Sequence, residues 1–525
     1  MKKNILSFML IGILVLSSLA GCTSSKVPPK DNTVPESGTS SNGNPLIKNT
    51  DEVIISLATE LQTLDTFAMQ NIVTNECISN VYDTFLNVAE DGTIIPNVAE
   101  SWEWVEGENK YRFVIKKGIK FHDGTELKAS DAVFTFNLMM TEYKAFQAAT
   151  ASQIKEVKLV DDYTVDVYLN NPSSNFLYIC AINVKMYSEK AYNETNKYKD
   201  TIVSCGPYKF VSYDPTTGVV LEAFEDYHGD IKPKIKRAIF KIIPDANTQV
   251  VALETGELNL SRDFPMASVK SIKENENLDF FSHPCGMVNF LMFNQRDNTI
   301  EPLKNKKVRQ AINYCLDKEF MIQVAEEGMA VPARSVANQG MFGYSENIPY
   351  YEYNVEKAKE LMKEAGYENG FEFDALITRD GKGKKVAEIA LENLKEIGIK
   401  TTVQVVENNA FIDSLKNGDF VMASTHLNLN SDGDNALDVI SKRGSVPFAG
   451  IQDEWIEEQN LLQKRELDPE KRFKILESIL IRTSEEAYMA PIYYPQKSYA
   501  ITKGLKINGY DKFVGVQLKY LEWEK

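Results

Sequence analysis

The residues able to do chemistry are few and scattered. The chain has four histidines, His122, His228, His283 and His426, and no two stand at the HxH or HExxH spacing that brings imidazoles to one metal. Neither a GxSxG nucleophile elbow nor a GxxxxGK[ST] phosphate loop occurs. Gly381-Lys382-Gly383-Lys384-Lys385 is rich in glycine and lysine but lacks the hydroxyl that would follow, and it reads as an exposed turn before a helix. Of six cysteines, Cys77, Cys180, Cys205, Cys285 and Cys315 are never spaced as CxxC and read as buried free thiols. Carboxylates are plentiful, and sequence alone does not pair two of them for acid–base work. The pattern argues against an enzyme, and neither a cofactor nor a metal is expected. An extracellular hydrolase is the enzyme alternative, because a triad can be scattered along a chain.

The elements around these residues begin with an export signal. Lys2 and Lys3 precede an apolar run, Ile5 to Leu19, and then Leu19-Ala20-Gly21-Cys22. A charged start, an apolar stretch and small residues mark residues 1–21 as a signal peptide, and the run is shorter than the ~20 residues a spanning helix needs. Leu-Ala-Gly-Cys resembles the bacterial lipobox, which implies acylation of Cys22 and attachment to the cell membrane by lipid. Residues 22–50, rich in Ser, Pro, Asn, Gly and Lys, read as a flexible tether. The body from Asp51 onward exceeds what one core can fill, so two or three domains are expected. With 58 Lys and Arg against 74 Asp and Glu, net −16, the chain offers no basic face for nucleic acid.

Strands dominate the first part of the body. Tyr111, Phe113 and Ile115 alternate with polar neighbours, as do Val165, Val167 and Leu169 after Asp161-Asp162. Asp123-Gly124 predicts a hairpin, Ser130 an N-cap, and 219–224 and 238–243 further strands. From about Pro302 the period becomes helical. Val308, Ala311, Ile312, Cys315, Leu316, Phe320 and Val324 form one apolar stripe ended by Gly328. Asn354 and Asp468-Pro469 open later helices, and the alternation Ile399, Thr401, Val403, Val405 follows a helix stopped at Gly398. Helix then strand, repeated, predicts an α/β lobe.

Several segments, in order, resemble the family 5 extracellular solute-binding proteins of ABC importers, which bind oligopeptides, dipeptides or nickel. They are Pro96-Asn97-Val98-Ala99-Glu100-Ser101-Trp102-Glu103-Trp104, Lys117 to Thr125 with Ala129 to Val133, Ser204-Cys205-Gly206-Pro207-Tyr208-Lys209-Phe210, Asp226-Tyr227-His228-Gly229, and Lys307 to Ile312. The resemblance implies an α/β bilobal periplasmic-binding-protein-like fold of type 2, with an extra domain in the N-terminal lobe. Lobe one would comprise 51–92, 202–292 and 495–525, the extra domain 93–201, and lobe two 293–494. Trp102 and Trp104 would fill the extra domain's core, and Gly206-Pro207-Tyr208 would shape a crossing between lobes. The implied function is capture of a peptide or peptide-like solute, outside the cytoplasmic membrane, by a monomer that closes on it and delivers it to ABC permease subunits. Capture of a sugar or metal chelate, or a ligand-sensing role, are the alternatives.

The ligand site is where the sequence departs from the family. Peptide-binding members carry a Trp, then an Asp for the peptide amine, before Asp-Pro or Glu-Pro. Here His426 stands for the Trp, Leu429 for that Asp and Gly433 for the Pro. Asn428, Asn430, Asp432 and Asp434 in this stretch are candidate ligand contacts, with Asp432 or Asp434 able to supply the displaced charge. Near the start of the body, Gln70, Asn71 and Ile72 follow Leu64-Asp65-Thr66, and Asn175-Phe176 follows a Pro-Ser-Ser turn; these complete the expected ligand set.

Overall fold

The computed structural model describes residues 44–68, 72–89, 92–143, 147–379, 381–429, 432–444, 447–510 and 515–524. The chain divides into Met1–Thr39, outside these residues together with Cys22, and a body, Ser40–Lys525. The body's main sheet runs through one shared strand, Met489–Thr502. Its first half pairs with Met287–Phe293 and Ala330–Pro332, and its second half, from Gln496, with Leu278–Pro284. The change of partner falls at Pro495–Gln496, and the neighbouring crossing at Cys285–Gly286 links the two partner strands. Two lobes therefore meet along paired crossings.

The strand Met287–Phe293 also pairs along its whole length with Met422–Asn428 of lobe two. From the Cys285–Gly286 crossing onward the chain therefore pairs with lobe-two strands. Lobe two continues through Phe371–Thr378 and Ile399–Val405, which are parallel to each other, with Met422–Asn428 parallel to the first of them. Parallel strands need crossovers, and Lys382–Glu396 supplies one by burying Val386, Ala387, Ala390 and Leu394. In lobe one, Val53, Ile55 and Leu57 of Glu52–Leu57 are buried, and this strand lies parallel to Arg237–Ile242 and to Leu260–Ser261.

The extra domain is a four-stranded antiparallel sheet ordered Ala99–Val105, Lys110–Ile115, Thr164–Leu169, Ile154–Asp161. It has no separate core. Phe85 of lobe one packs edge-on against Phe113 and Phe136, with ring centroids 5.0 and 5.3 Å apart. Gly206 seals the same seam, where an added Cβ would lie 2.5 Å from the Val81 carbonyl oxygen. Gly206-Pro207-Tyr208 thus joins the extra domain to lobe one rather than crossing between lobes. Trp102 and Trp104 are only partly buried, at the edge of the core that Tyr111 and Phe113 fill.

Other local expectations shift for identifiable reasons. The apolar stripe from Val308 to Val324 breaks into Lys306–Cys315 and Lys318–Glu326, because the Asp317 carboxylate caps the second helix at the Phe320 N–H, 3.0 Å away. Phe320 and Val324 are then exposed. The cap before Ala129–Met140 is at Lys128, whose N–H donates to Asp131 at 3.0 Å, so Ser130 lies inside the helix. The helix after Gly381 starts at Lys382, placing the glycine-lysine run in its first turn.

The Asp123-Gly124 hairpin forms as expected, with Gly124 at φ +85°. It holds His122, whose Nδ1 accepts from the Ser204 N–H at 3.3 Å while Nε2 donates to the Gly206 carbonyl at 3.0 Å. Burial lowers this imidazole to about 4, and burial does the same to His283, again to about 4, at the lobe junction. Each folded-state value lies below the unfolded one, so the stability contribution is complete above pH 6.5 and is lost as pH falls towards 4. Each histidine removes about 3 kcal/mol over that window. Urea midpoints should therefore fall between pH 7 and 4.5, and less steeply in His122→Gln. A flat profile over that range would contradict this account.

Candidate functional site

Strand register aims both lobes at the same junction. Asn428 pairs with Met287, beside the crossing, so the carboxyl ends of Met422–Asn428 and its parallel neighbours point towards lobe one. Ser261 pairs with Ala500, so the strand Leu260–Ser261 and its parallel partners end facing lobe two. Ligands of open α/β sheets sit beyond the carboxyl ends of strands. The junction is therefore the place to look for a site.

On the lobe-two side, Arg379 follows the strand Phe371–Thr378. Its Nη2 donates to His426 Nδ1 at 2.9 Å and Nη1 to Asn408 Oδ1 at 3.3 Å, and the guanidinium lies 5.3 Å from the Phe411 ring centre. Burial and the adjacent guanidinium both lower the His426 pKa, so the ring stays neutral and accepts. Among the described residues Arg379 makes no ion pair with a carboxylate. It is a fixed cation suited to an anionic group.

On the lobe-one side, Glu76 accepts from Arg262 and from Lys497, three charges contributed by the helix Ile72–Ile78, the end of Leu260–Ser261 and the shared strand. Burial alone would raise the Glu76 carboxyl, but the two cations outweigh it and hold it below the ordinary value. Lys185 of the extra domain reaches over to Thr66 Oγ1 at 3.0 Å and Asn75 Oδ1 at 2.9 Å. A cavity of about 520 Å³ adjoins Asn75 and Lys185 and is bounded by lobe one, the extra domain and Gly340 of lobe two.

Several residues expected to meet ligand are engaged elsewhere. Phe176 is fully buried, stacked on Tyr111 and Phe136, and belongs to the extra domain's core. Asp432 is buried and takes both its oxygens to Arg472, each 2.8 Å away. Asn175 and Asp434 bond to each other at 3.1 Å across the boundary between the extra domain and lobe two. Beside them, Ser174 donates to the Gln463 and Lys464 carbonyls at 2.7 and 3.0 Å, so this loop forms a seam. His426 and Asn428 stand at the junction edge, Asn428 exposed. Ile72 opens the helix Ile72–Ile78, whereas Gln70, Asn71 and Asn430 lie outside the described residues.

The departures from the family pattern also have structural reasons. Leu429 is buried in the apolar core of lobe two, which has no room for a free carboxylate. The Gly433 N–H donates to Phe342 O at 2.9 Å, and an added Cβ would lie 2.4 Å from that oxygen, so the glycine is a close-approach position. Sequence reasoning missed Arg379, Glu76, Arg262 and Lys497. The available signal was an arginine ending a strand just before a helix; the buried triad had none.

Comparison with known proteins decides the family. The model of the bacterial extracellular solute-binding proteins, family 5 Middle, matches residues 93–445. The chain belongs to this family. It is thus an extracytoplasmic binding protein, not an enzyme. The oligopeptide-binding protein AppA of Bacillus subtilis is 29% identical over 467 residues, 82% of this chain and 83% of that protein. The dipeptide-binding protein of Escherichia coli is 28% identical over 356 residues, covering 62% of this chain and 66% of that one, just short of two thirds. Among solved structures, HbpA2 from Haemophilus parasuis aligns with a TM-score of 0.82 at 23% identity, covering 90% of this chain and all of that one, which shows a shared fold. Among the described residues no helix is long and apolar enough to cross a membrane.

Proposed function

We propose that this solute-binding protein captures a peptide or peptide-like solute at the junction of its lobes, closes on it, and delivers it to the permease of an ABC importer. Names of relatives that bind dipeptides and oligopeptides support the ligand class. The observation that carries the reading is Arg379, a cation at the junction edge with hydrogen bonds to His426 and Asn408 but no ion pair to a described carboxylate. A terminal carboxylate fits it. Neither Leu429, buried in the core, nor Asp432, held by Arg472, offers the ligand's amine a partner. The Leu19-Ala20-Gly21-Cys22 sequence supports tethering through an acylated Cys22.

Titration calorimetry with free and C-terminally amidated tripeptides tests the ligand assignment. Arg379→Ala should weaken free-carboxylate peptides roughly ten- to a hundredfold, the worth of a charge-assisted bond, and leave amidated ones unchanged. Equal losses for both, or none, would remove Arg379 from the site.

A further inference from the structure

The cavity of about 520 Å³ is lined, among the described residues, by side chains other than the ligand residues expected from sequence. It is lined by Asn75, Tyr82 and Asp83 of lobe one, Lys185 of the extra domain and Gly340 of lobe two. Ile95 and Ile231, 38% and 49% exposed, also line it, so it is a groove open to solvent.

The groove's charge is opposite to the chain's. The protein as a whole carries −16, yet Lys116, Lys185 and Lys519 all line this groove. Of its two carboxylates, Asp83 is taken by His228 at 2.8 Å and by Asn97 at 2.6 Å, and Asp230 is exposed. Neither Lys116 nor Lys519 lies within ion-pair distance of a described carboxylate, although the Lys519 charge helps to hold the Asp83 carboxyl low, and Lys519 lies over the Tyr520 ring at 5.2 Å. Gln517 adds an amide group able to hydrogen-bond an extended backbone, as does Asn87 through its Nδ2, whereas Asn508 Nδ2 already donates to Glu522 at 3.3 Å. Cations held beside low-dielectric walls attract anions more strongly than the same cations on an open surface.

We propose that this groove is a second ligand subsite, which takes the acidic side chains of an oligopeptide whose other end lies at the junction. The inference rests on the peptide reading above and deepens it: the ligands are extended and acidic, not only di- or tripeptides. Calorimetry with a dipeptide, a pentapeptide carrying two glutamates and its glutamine counterpart tests it on the full chain. Wild-type protein should prefer the acidic pentapeptide about tenfold, and Lys116→Glu/Lys519→Glu should abolish that preference while leaving the dipeptide unchanged. The milder Lys116→Met/Lys519→Met pair should reduce the preference and guards against a folding defect, which thermal melts would expose. Equal affinity for the two pentapeptides, or a preference that survives charge reversal, overturns the groove while leaving the peptide reading standing. Failure of every peptide to bind wild-type protein overturns both.

Discussion

Asp432→Asn is expected to destabilise the protein by about 3 kcal/mol, because it removes the main counter-charge of a buried guanidinium and leaves Asp434 and the Gln463 amide oxygen to hold it. Asp432 and Arg472 each keep 3% of their side-chain surface exposed, and both carboxylate oxygens lie 2.8 Å from Arg472 Nη2. Burial disfavours the charge on Arg472, but Asp432 and Asp434 more than offset this and hold it protonated. The guanidinium is flanked by the Tyr178 and Phe342 rings, with centroids 5.7 and 5.3 Å away, so it cannot move out to water. The loss should appear as a lower urea midpoint with ligand affinity preserved in the folded fraction. Arg472→Met in the same chain should recover much of it, since an apolar replacement of a buried pair is often near neutral. Weakened binding with unchanged stability would instead return Asp432 to the ligand site.

Glu76→Gln should cost a similar amount, about 3–5 kcal/mol, for the same physical reason. Arg262 keeps 6% of its side-chain surface, Glu76 is its ion-pair partner, and its other bond goes to the Val516 carbonyl at 3.3 Å. Arg262 Nε has no partner among the described residues, so the guanidinium is already under-satisfied. Glutamine keeps the shape and one acceptor but removes the charge that balances Arg262 and Lys497. Chemical denaturation reads the effect, and Glu76→Gln/Arg262→Met should restore stability relative to the single variant. A loss below about 1 kcal/mol would mean the triad is solvated like a surface pair.

What the sequence made legible was local. Alternation at Tyr111, Phe113 and Ile115, the Asn354 and Asp468 caps and the Asp123-Gly124 turn all depend on near neighbours, and all formed. The break at Asp317 was hidden because apolar residues continue on both sides of it. The junction was legible only as a family expectation, since it depends on pairings such as Met287 with Asn428 and Ser261 with Ala500. The same distance effect hides the partners of several site residues. The sequence shows Asn175 and Asp434 as separate polar candidates, 259 positions apart, and only the fold brings them to bond to each other. Phe176 followed a turn suggestive of a cleft edge, but its ring completes an aromatic stack whose members come from other elements. Arg379 carries no motif, and only the carboxyl-end geometry of the sheet reveals its position.

Native mass spectrometry of the protein purified gently from its own cells reads the solute captured at the junction. The protein should carry an added mass that fragments into amino acids and is depleted in Arg379→Ala prepared in parallel. An added mass that fragments as a sugar or a metal chelate, or a peptide retained equally by Arg379→Ala, would contradict this expectation.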